Sequence, residues 1–116
     1  MTDNAAIERG DILLIDFAPA QAGEASFTRP AVVVTNDLAN AFSPVLVVVP
    51  LTSNLNQVYP FELLLPTALT GLDRESKAQP QLIRHVSRGR VKKHLAHLDA
   101  ALQRALDERL RLGLGL

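Results

Sequence analysis

Cysteine and tryptophan are absent from the 116 residues, and aromatic residues make up only 4% of them. Without cysteine there is no disulfide framework, no thiolate zinc site and no cysteine nucleophile. Long apolar runs are missing too: the longest, Ala31 to Val34 and Val45 to Pro50, fall far below the roughly 20 residues of a membrane helix. The N-terminal stretch Met1 to Arg9 carries acids where a secretory signal would carry a basic start and an apolar run. These absences predict a soluble, cytoplasmic protein with no membrane partner. Net charge is the last absence. Lysine plus arginine count 12 and aspartate plus glutamate 12, which as a whole-chain figure speaks against a polyanionic partner.

What remains is an ordinary globular composition, 47% hydrophobic and 21% charged, in a length that fits one domain spanning residues 1–116. Ile12 to Ile15 reads as a first strand after the break at Gly10-Asp11, Ala31 to Thr35 as a second, and Val45 to Val49, between Pro44 and Pro50, as a third. Pro60 to Pro66 and Pro80 to Val86 supply a weaker fourth and fifth, separated by a turn at Thr70 to Asp73. Two of these strands are apolar at every position, so both faces need cover, one by the sheet's own interior and the other by a helix or a second chain. Asp99 predicts a helix N-cap, with Leu102, Leu106 and Leu110 as its buried stripe and Gly113 as its stop; an alternative start at Lys92 would add Leu95 and Leu98 to the stripe. Short strands followed by one helix predict a mainly β fold with α, a small, partly open β-barrel with a C-terminal helix.

The neutral total conceals an asymmetry. Residues 1–58 hold 2 basic and 6 acidic residues, a balance of −4, whereas residues 59–116 hold 10 basic and 6 acidic, a balance of +4. Arg84, Arg88, Arg90, Lys92 and Lys93 form an acid-free basic strip, read either as a patch for a nucleic-acid backbone or as a solvated face. In the acidic half, an unusually long connection from Pro19 to Arg29 joins the first two strands. Pro30 gives Arg29 a rigid base, which suits phosphate recognition, although spacing alone favours a surface ion pair with Glu24 or Asp16. Thr52 and Ser53 follow the third strand and either donate to an anionic oxygen or cap a turn, the turn being the default. His85, His94 and His97 cluster in sequence, but no carboxylate lies between Glu75 and Asp99, so no metal site is expected, and surface histidines outweigh a histidine general acid at His85.

Arg9-Gly10-Asp11-Ile12, Gly23-Glu24 ahead of Arg29-Pro30-Ala31-Val32-Val33-Val34, Val49-Pro50-Leu51-Thr52-Ser53, Tyr59-Pro60-Phe61-Glu62 and Leu112-Gly113-Leu114 occur in that order. Together they resemble the MazF/PemK family of toxin–antitoxin ribonucleases, over nearly the whole chain. The resemblance implies an SH3-like barrel, a homodimer, cofactor-free endoribonuclease activity on single-stranded RNA, and a cognate antitoxin with an acidic, partly disordered segment. It places Arg29 and Thr52 at the family's catalytic arginine and threonine, and Glu24 at an acidic position implicated in some members. Phe27, Thr28, Ser53, Asn54, Arg84, His85, Arg88 and Arg90 are the candidate RNA contacts. The residues after Glu24 and the presence of Leu82 before Ile83-Arg84 depart from the common family pattern, which leaves the recognised RNA sequence open.

The residue types fit the reaction. Metal-free RNA cleavage uses the ribose 2′-hydroxyl as nucleophile, so the enzyme must take its proton, offset charge on the phosphorane oxygens and return a proton to the leaving 5′-oxygen. A guanidinium supplies bidentate donors, a hydroxyl orients an oxygen, and a carboxylate accepts the proton. Two other readings use the same barrel without this chemistry: a gyrase-poison toxin resembling CcdB, against which the absent tryptophan counts, and an SH3-like nucleic-acid or peptide adaptor.

Overall fold

The computed structural model describes residues 6–18 and 27–116. Five strands carry the barrel: β1 Asp11–Asp16, β2 Thr28–Val33, β3 Val45–Thr52, β6 Arg84–Ser87 and β7 Val91–His97. β2 pairs antiparallel with β1 and β3, β6 pairs with the first half of β3, and β7 pairs with β1. A hairpin of β4 Leu63–Leu65 and β5 Ser76–Ala78 joins the far half of β3. Among the described residues three α-helices complete the fold: α1 Asp37–Phe42, α2 Thr67–Thr70 and α3 Ala100–Leu114. Among the described residues no helix is long and apolar enough to cross a membrane.

The central strands are buried on both faces, as their unbroken apolar runs require. Leu13, Ile15, Ala31, Val33, Leu46 and Val48 pack with Val86 in one core. The alternate residues Ile12, Val32, Val49 and Leu51 pack against Leu63, Leu65 and the α3 stripe Leu102, Leu106 and Leu110 in another. The cover on the second face is therefore α3 together with the β4–β5 hairpin. α3 begins where its sequence says, with Asp99 Oδ1 accepting from Leu102 N at 2.8 Å. It runs through Gly113 and stops at Gly115, whose φ of 72° provides the left-handed cap.

Further sequence expectations are corrected. Pro50 lies inside β3, not at its end. It sits where β3 changes neighbour from β6 to β5, a point where no ladder donor is needed, and its carbonyl accepts from Gln79 N at 3.0 Å. The fourth strand shrinks to Leu63–Leu65 because Pro60 and Phe61 turn ahead of it. The fifth divides into a 3-10 turn at Pro80–Leu82 and β6, since Pro80 begins a turn but cannot enter a ladder as a donor. The alternative helix start at Lys92 fails: Val91–His97 is a strand, with register shifts against β1 that break the period-2 pattern.

Gly10 opens β1 with φ 97°, donates to Val33 O at 2.8 Å and accepts from Leu98 N at 2.9 Å. A Cβ there would lie 2.5 Å from the Gln103 side chain, which is held by Leu98 O. Gly10→Ala combines this clash with a backbone conformation that L-residues avoid. It is expected to lower stability by about 1–3 kcal/mol, read as a fall in the urea midpoint with unchanged slope. An unchanged midpoint would contradict the tight packing of Gly10 on α3.

Candidate active site

Arg29 stands near the start of β2, opposite Ile15 of β1, and is exposed. β2 and β3 pair in the register Ala31 with Pro50, Val32 with Val49 and Val33 with Val48. Carried two residues further, that register puts Arg29 level with Thr52. Alternation places Arg29 on the side of Ala31 and Val33, and Thr52 on the side of Pro50 and Val48, so both belong to the same face of the sheet. Among the described residues Arg29 forms no ion pair. Asp16, one of its expected surface partners, uses Oδ1 to accept from Ala18 N at 2.9 Å. Glu24, the other, lies outside the described residues.

Thr52 ends β3, partly buried, and its Oγ1 accepts from Asn54 N at 3.2 Å. The turn expected from sequence is thus present, and the hydroxyl proton remains available to an incoming oxygen. Thr52 divides two concavities. A cleft of about 580 Å³ is lined by Thr52 and Ser53 together with Pro30, Arg74, Lys93 and His94. A smaller one of about 300 Å³ joins Thr52 to Asn54, Gln57, Tyr59 and Lys77. Lys93 and Arg74 make the larger cleft cationic at neutral pH, with Asp73 as the opposing charge on its wall.

The basic strip does not form one face. Arg84 lays its guanidinium over the Phe17 ring at 5.1 Å, and Phe17 N donates to Phe27 O at 3.0 Å. This links Arg84 to the stem of the connection that ends in Arg29, with Phe27 and Thr28 exposed beside it. Arg90 Nη1 donates to Ala18 O at 2.6 Å and Asp16 O at 3.3 Å, securing the other side of that stem. Arg88 Nη1 donates to Asn40 O at 2.6 Å and fastens α1. The guanidinium groups of Arg88 and Arg90 are therefore engaged by main-chain carbonyls and act first on loop position. His85 is exposed on β6 opposite Val47, away from His94 and His97, which flank β1. Lys93 is the member of the strip that reaches the Thr52 cleft.

The loop after Thr52 is anchored by a buried ion pair that sequence reading missed. Lys77, the register partner of Thr52, places Nζ 2.8 Å from Glu62 Oε1 and also donates to Gln57 O. Gln81 Nε2 donates to Glu62 Oε2 at 2.7 Å, Tyr59 N donates to Oε1 at 2.9 Å, and Arg109 Nε donates to the Glu62 carbonyl at 2.9 Å. Burial raises the Glu62 pKa, but hydrogen bonds from Lys77, Gln81 and Tyr59 N–H, with the lysine charge, outweigh it and hold the carboxyl below its ordinary 4.5. The only sequence signal was a charged residue at the centre of the three-residue strand Ser76–Ala78.

The family model of PemK-like, MazF-like toxins of type II toxin–antitoxin systems matches residues 8–114. The endoribonuclease MazF9 of Mycobacterium tuberculosis is 44% identical over 115 residues, covering 95% of this chain and 98% of that protein. A MazE–MazF crystal structure from Deinococcus radiodurans matches with a TM-score of 0.82 at 25% identity, over 97% of this chain and 99% of that one. The M. tuberculosis toxin MazF-mt6, at 17% identity and a TM-score of 0.77 over 91% and 97% of the two chains, adds likeness of fold alone. With the family model spanning nearly all of its length and a relative 44% identical over 115 residues, this chain belongs to the PemK-like, MazF-like toxins of type II toxin–antitoxin systems.

Proposed function

We propose that this toxin is an endoribonuclease that cuts single-stranded RNA without a metal, with Arg29 and Thr52 at the scissile phosphate. What supports the reading is that Arg29 and Thr52 each lie two residues beyond the last β2–β3 pair, Ala31 with Pro50, and that Thr52 lines a cleft shared with Lys93 and Arg74. The 2′-hydroxyl oxygen attacks the adjacent phosphorus while its proton passes to a base. The P–O5′ bond breaks, and the leaving oxygen receives a proton, leaving a cyclic phosphate and a 5′-hydroxyl. Arg29 supplies two parallel N–H donors and positive charge to the phosphorane oxygens. Thr52 orients the phosphate or the 2′-hydroxyl, with Ser53 beside it. Glu24, at an acidic position the resemblance implicates in some members, is the nearest carboxylate in sequence and the candidate base.

RNA lies along the Thr52 cleft and past the Arg29 stem. Lys93 and Arg74 hold its backbone, and Phe27, Thr28, Asn54, Arg84 and His85 border its path. Single-stranded RNA suits such a site because unstacked bases can pack on exposed rings and guanidinium planes. The toxin acts in the cytoplasm, as a homodimer, and is silenced by a cognate antitoxin whose acidic segment competes for the same cations. Neither the gyrase-poison nor the adaptor reading gives Arg29 and Thr52 a task.

The test is incubation of the purified protein with a long single-stranded RNA in the presence of EDTA, followed by mapping of the new ends. Cuts confined to a short recurring sequence are expected; intact RNA across several sequence contexts would sink the proposal. A strictly monomeric mass at micromolar concentration would remove the homodimer.

A further inference from the structure

At the opposite end of β1 from the partner of Arg29, three potential metal ligands meet, with a second histidine, His94, beside them. Asp11 is buried, and its Oδ1 lies 2.7 Å from His97 Nδ1 and 3.2 Å from His94 Nε2. Glu8, Asp11 and His97 each offer a ligand atom within 4.8 Å of the others. The carboxylates that sequence reading sought between Glu75 and Asp99 are provided instead by the N-terminal segment, across the β1–β7 pairing.

The convergence is built by a defect in the strand. In regular β structure residues three apart point to opposite faces, so His94 and His97 should diverge. The register of β7 against β1 shifts between the pairs Ile12 with Ala96 and Leu13 with His94, leaving Leu95 unpaired. That bulge turns both imidazoles to the face of Asp11. Asp11 is fixed in turn, because its Oδ2 accepts from Glu8 N at 2.8 Å. Such a hydrogen bond to a carboxylate ligand orients it for a metal.

We propose that Glu8, Asp11 and His97, with His94 hydrogen-bonded to Asp11 beside them, form a binding site for a borderline divalent transition metal of the zinc type. One imidazole nitrogen and two carboxylate oxygens leave the fourth position of a tetrahedral zinc site open, and the imidazole is a donor that the harder magnesium and calcium ions do not favour. The spacing is close to what is needed. Ligand atoms at about 2.0–2.1 Å from zinc in tetrahedral geometry stand about 3.3–3.4 Å apart, against the present 2.7 Å between His97 Nδ1 and Asp11 Oδ1. His97 has to withdraw by a few tenths of an ångström, and Glu8, which is exposed, is free to swing in. Imidazole and carboxylate bind zinc in their deprotonated forms, so the ion competes with protons and its binding weakens in acid. Asp11 lies four residues along β1 from Ile15, the partner of Arg29, about 13 Å at strand rise. Glu8, Asp11 and His97 are not among the residues lining the Thr52 cleft, which His94 beside them borders, and the site ties the N-terminal segment to β7.

Calorimetry with zinc chloride on the tag-free protein, alongside thermal melts, tests this. One zinc per chain is expected, with a thermal midpoint raised on the order of 10 °C at about 100 times Kd and no such response to magnesium. Both signals should vanish in His97→Ala and weaken at least about tenfold in Glu8→Gln; circular dichroism of each metal-free variant establishes that it is folded before binding is read. Absence of saturable binding, or full-strength binding in either variant, would overturn the site.

Discussion

Replacing Arg29 with alanine is expected to cut the RNA cleavage rate at least about 10²–10³-fold, the range seen when one preorganised donor to a developing oxyanion is lost. The phosphorane carries more negative charge on its equatorial oxygens than the ground-state phosphodiester does. A guanidinium placed there stabilises the transition state more than the substrate. The loss should therefore fall mainly on kcat, with a smaller change in KM. Arg29→Lys separates the two contributions of the side chain, since it keeps the charge but loses the planar fork; an intermediate rate is expected. Because Arg29 is exposed and forms no ion pair among the described residues, the thermal midpoint should not move. Single-turnover cleavage with saturating enzyme reads the effect directly. A rate within about threefold of the parent would take Arg29 out of the chemistry, since that is less than 1 kcal/mol.

The largest effect on stability is expected from Lys77→Met. The change keeps much of the side-chain volume but leaves the Glu62 carboxylate buried without its cation, a loss of about 3–5 kcal/mol when one partner of a buried pair is removed. The double variant Lys77→Met with Glu62→Leu removes both charges and should recover most of that loss. Chemical denaturation at pH 7 checks both. The pH dependence has a definite sign. The folded-state pKa of Glu62 is lowered relative to its ordinary 4.5, so the parent protein has this stabilisation in full above the unfolded value. It is lost as pH falls through the lower folded value. In Lys77→Met the burial that raises the carboxyl pKa is no longer opposed by the lysine, so the deficit relative to the parent should narrow in acid. A deficit that is constant between pH 7 and pH 4 would show that the pair is not its source. Lys77 also pairs with Thr52 in register and anchors Gln57, so the loop bordering the cleft should loosen, raising KM for RNA in the single variant.

The elements visible in the sequence are those whose stability is local or whose pattern is uninterrupted. β1, the core of β3 and the stripe of α3 show as apolar runs or as leucines at helical spacing, and Asp99 marks its helix start because the cap bond forms within four residues. α1 escaped because its six residues give too little periodicity, although Asn36 caps it with a bond to Ala39 N at 2.8 Å. β5 is only three residues long, and its central lysine is buried through a partner 15 residues away. β7 escaped because two register shifts scramble its alternation, so that Lys92, Lys93 and His94 resembled a charged surface strip.

The sequence by itself determined the family, the order of the main strands, the closing helix and the identity of Arg29 and Thr52 as the pair to examine. These are properties of short motifs and local propensities, which a linear string carries intact. Only the tertiary structure decided which charges are available and which are engaged. Arg88 and Arg90 are drawn into main-chain contacts, Lys93 reaches the cleft, Lys77 finds Glu62, and two histidines find Asp11 from more than 80 residues away. The reason is physical: a side chain's electrostatic role is set by the groups within a few ångströms of it, and across antiparallel strands those groups come from distant parts of the chain.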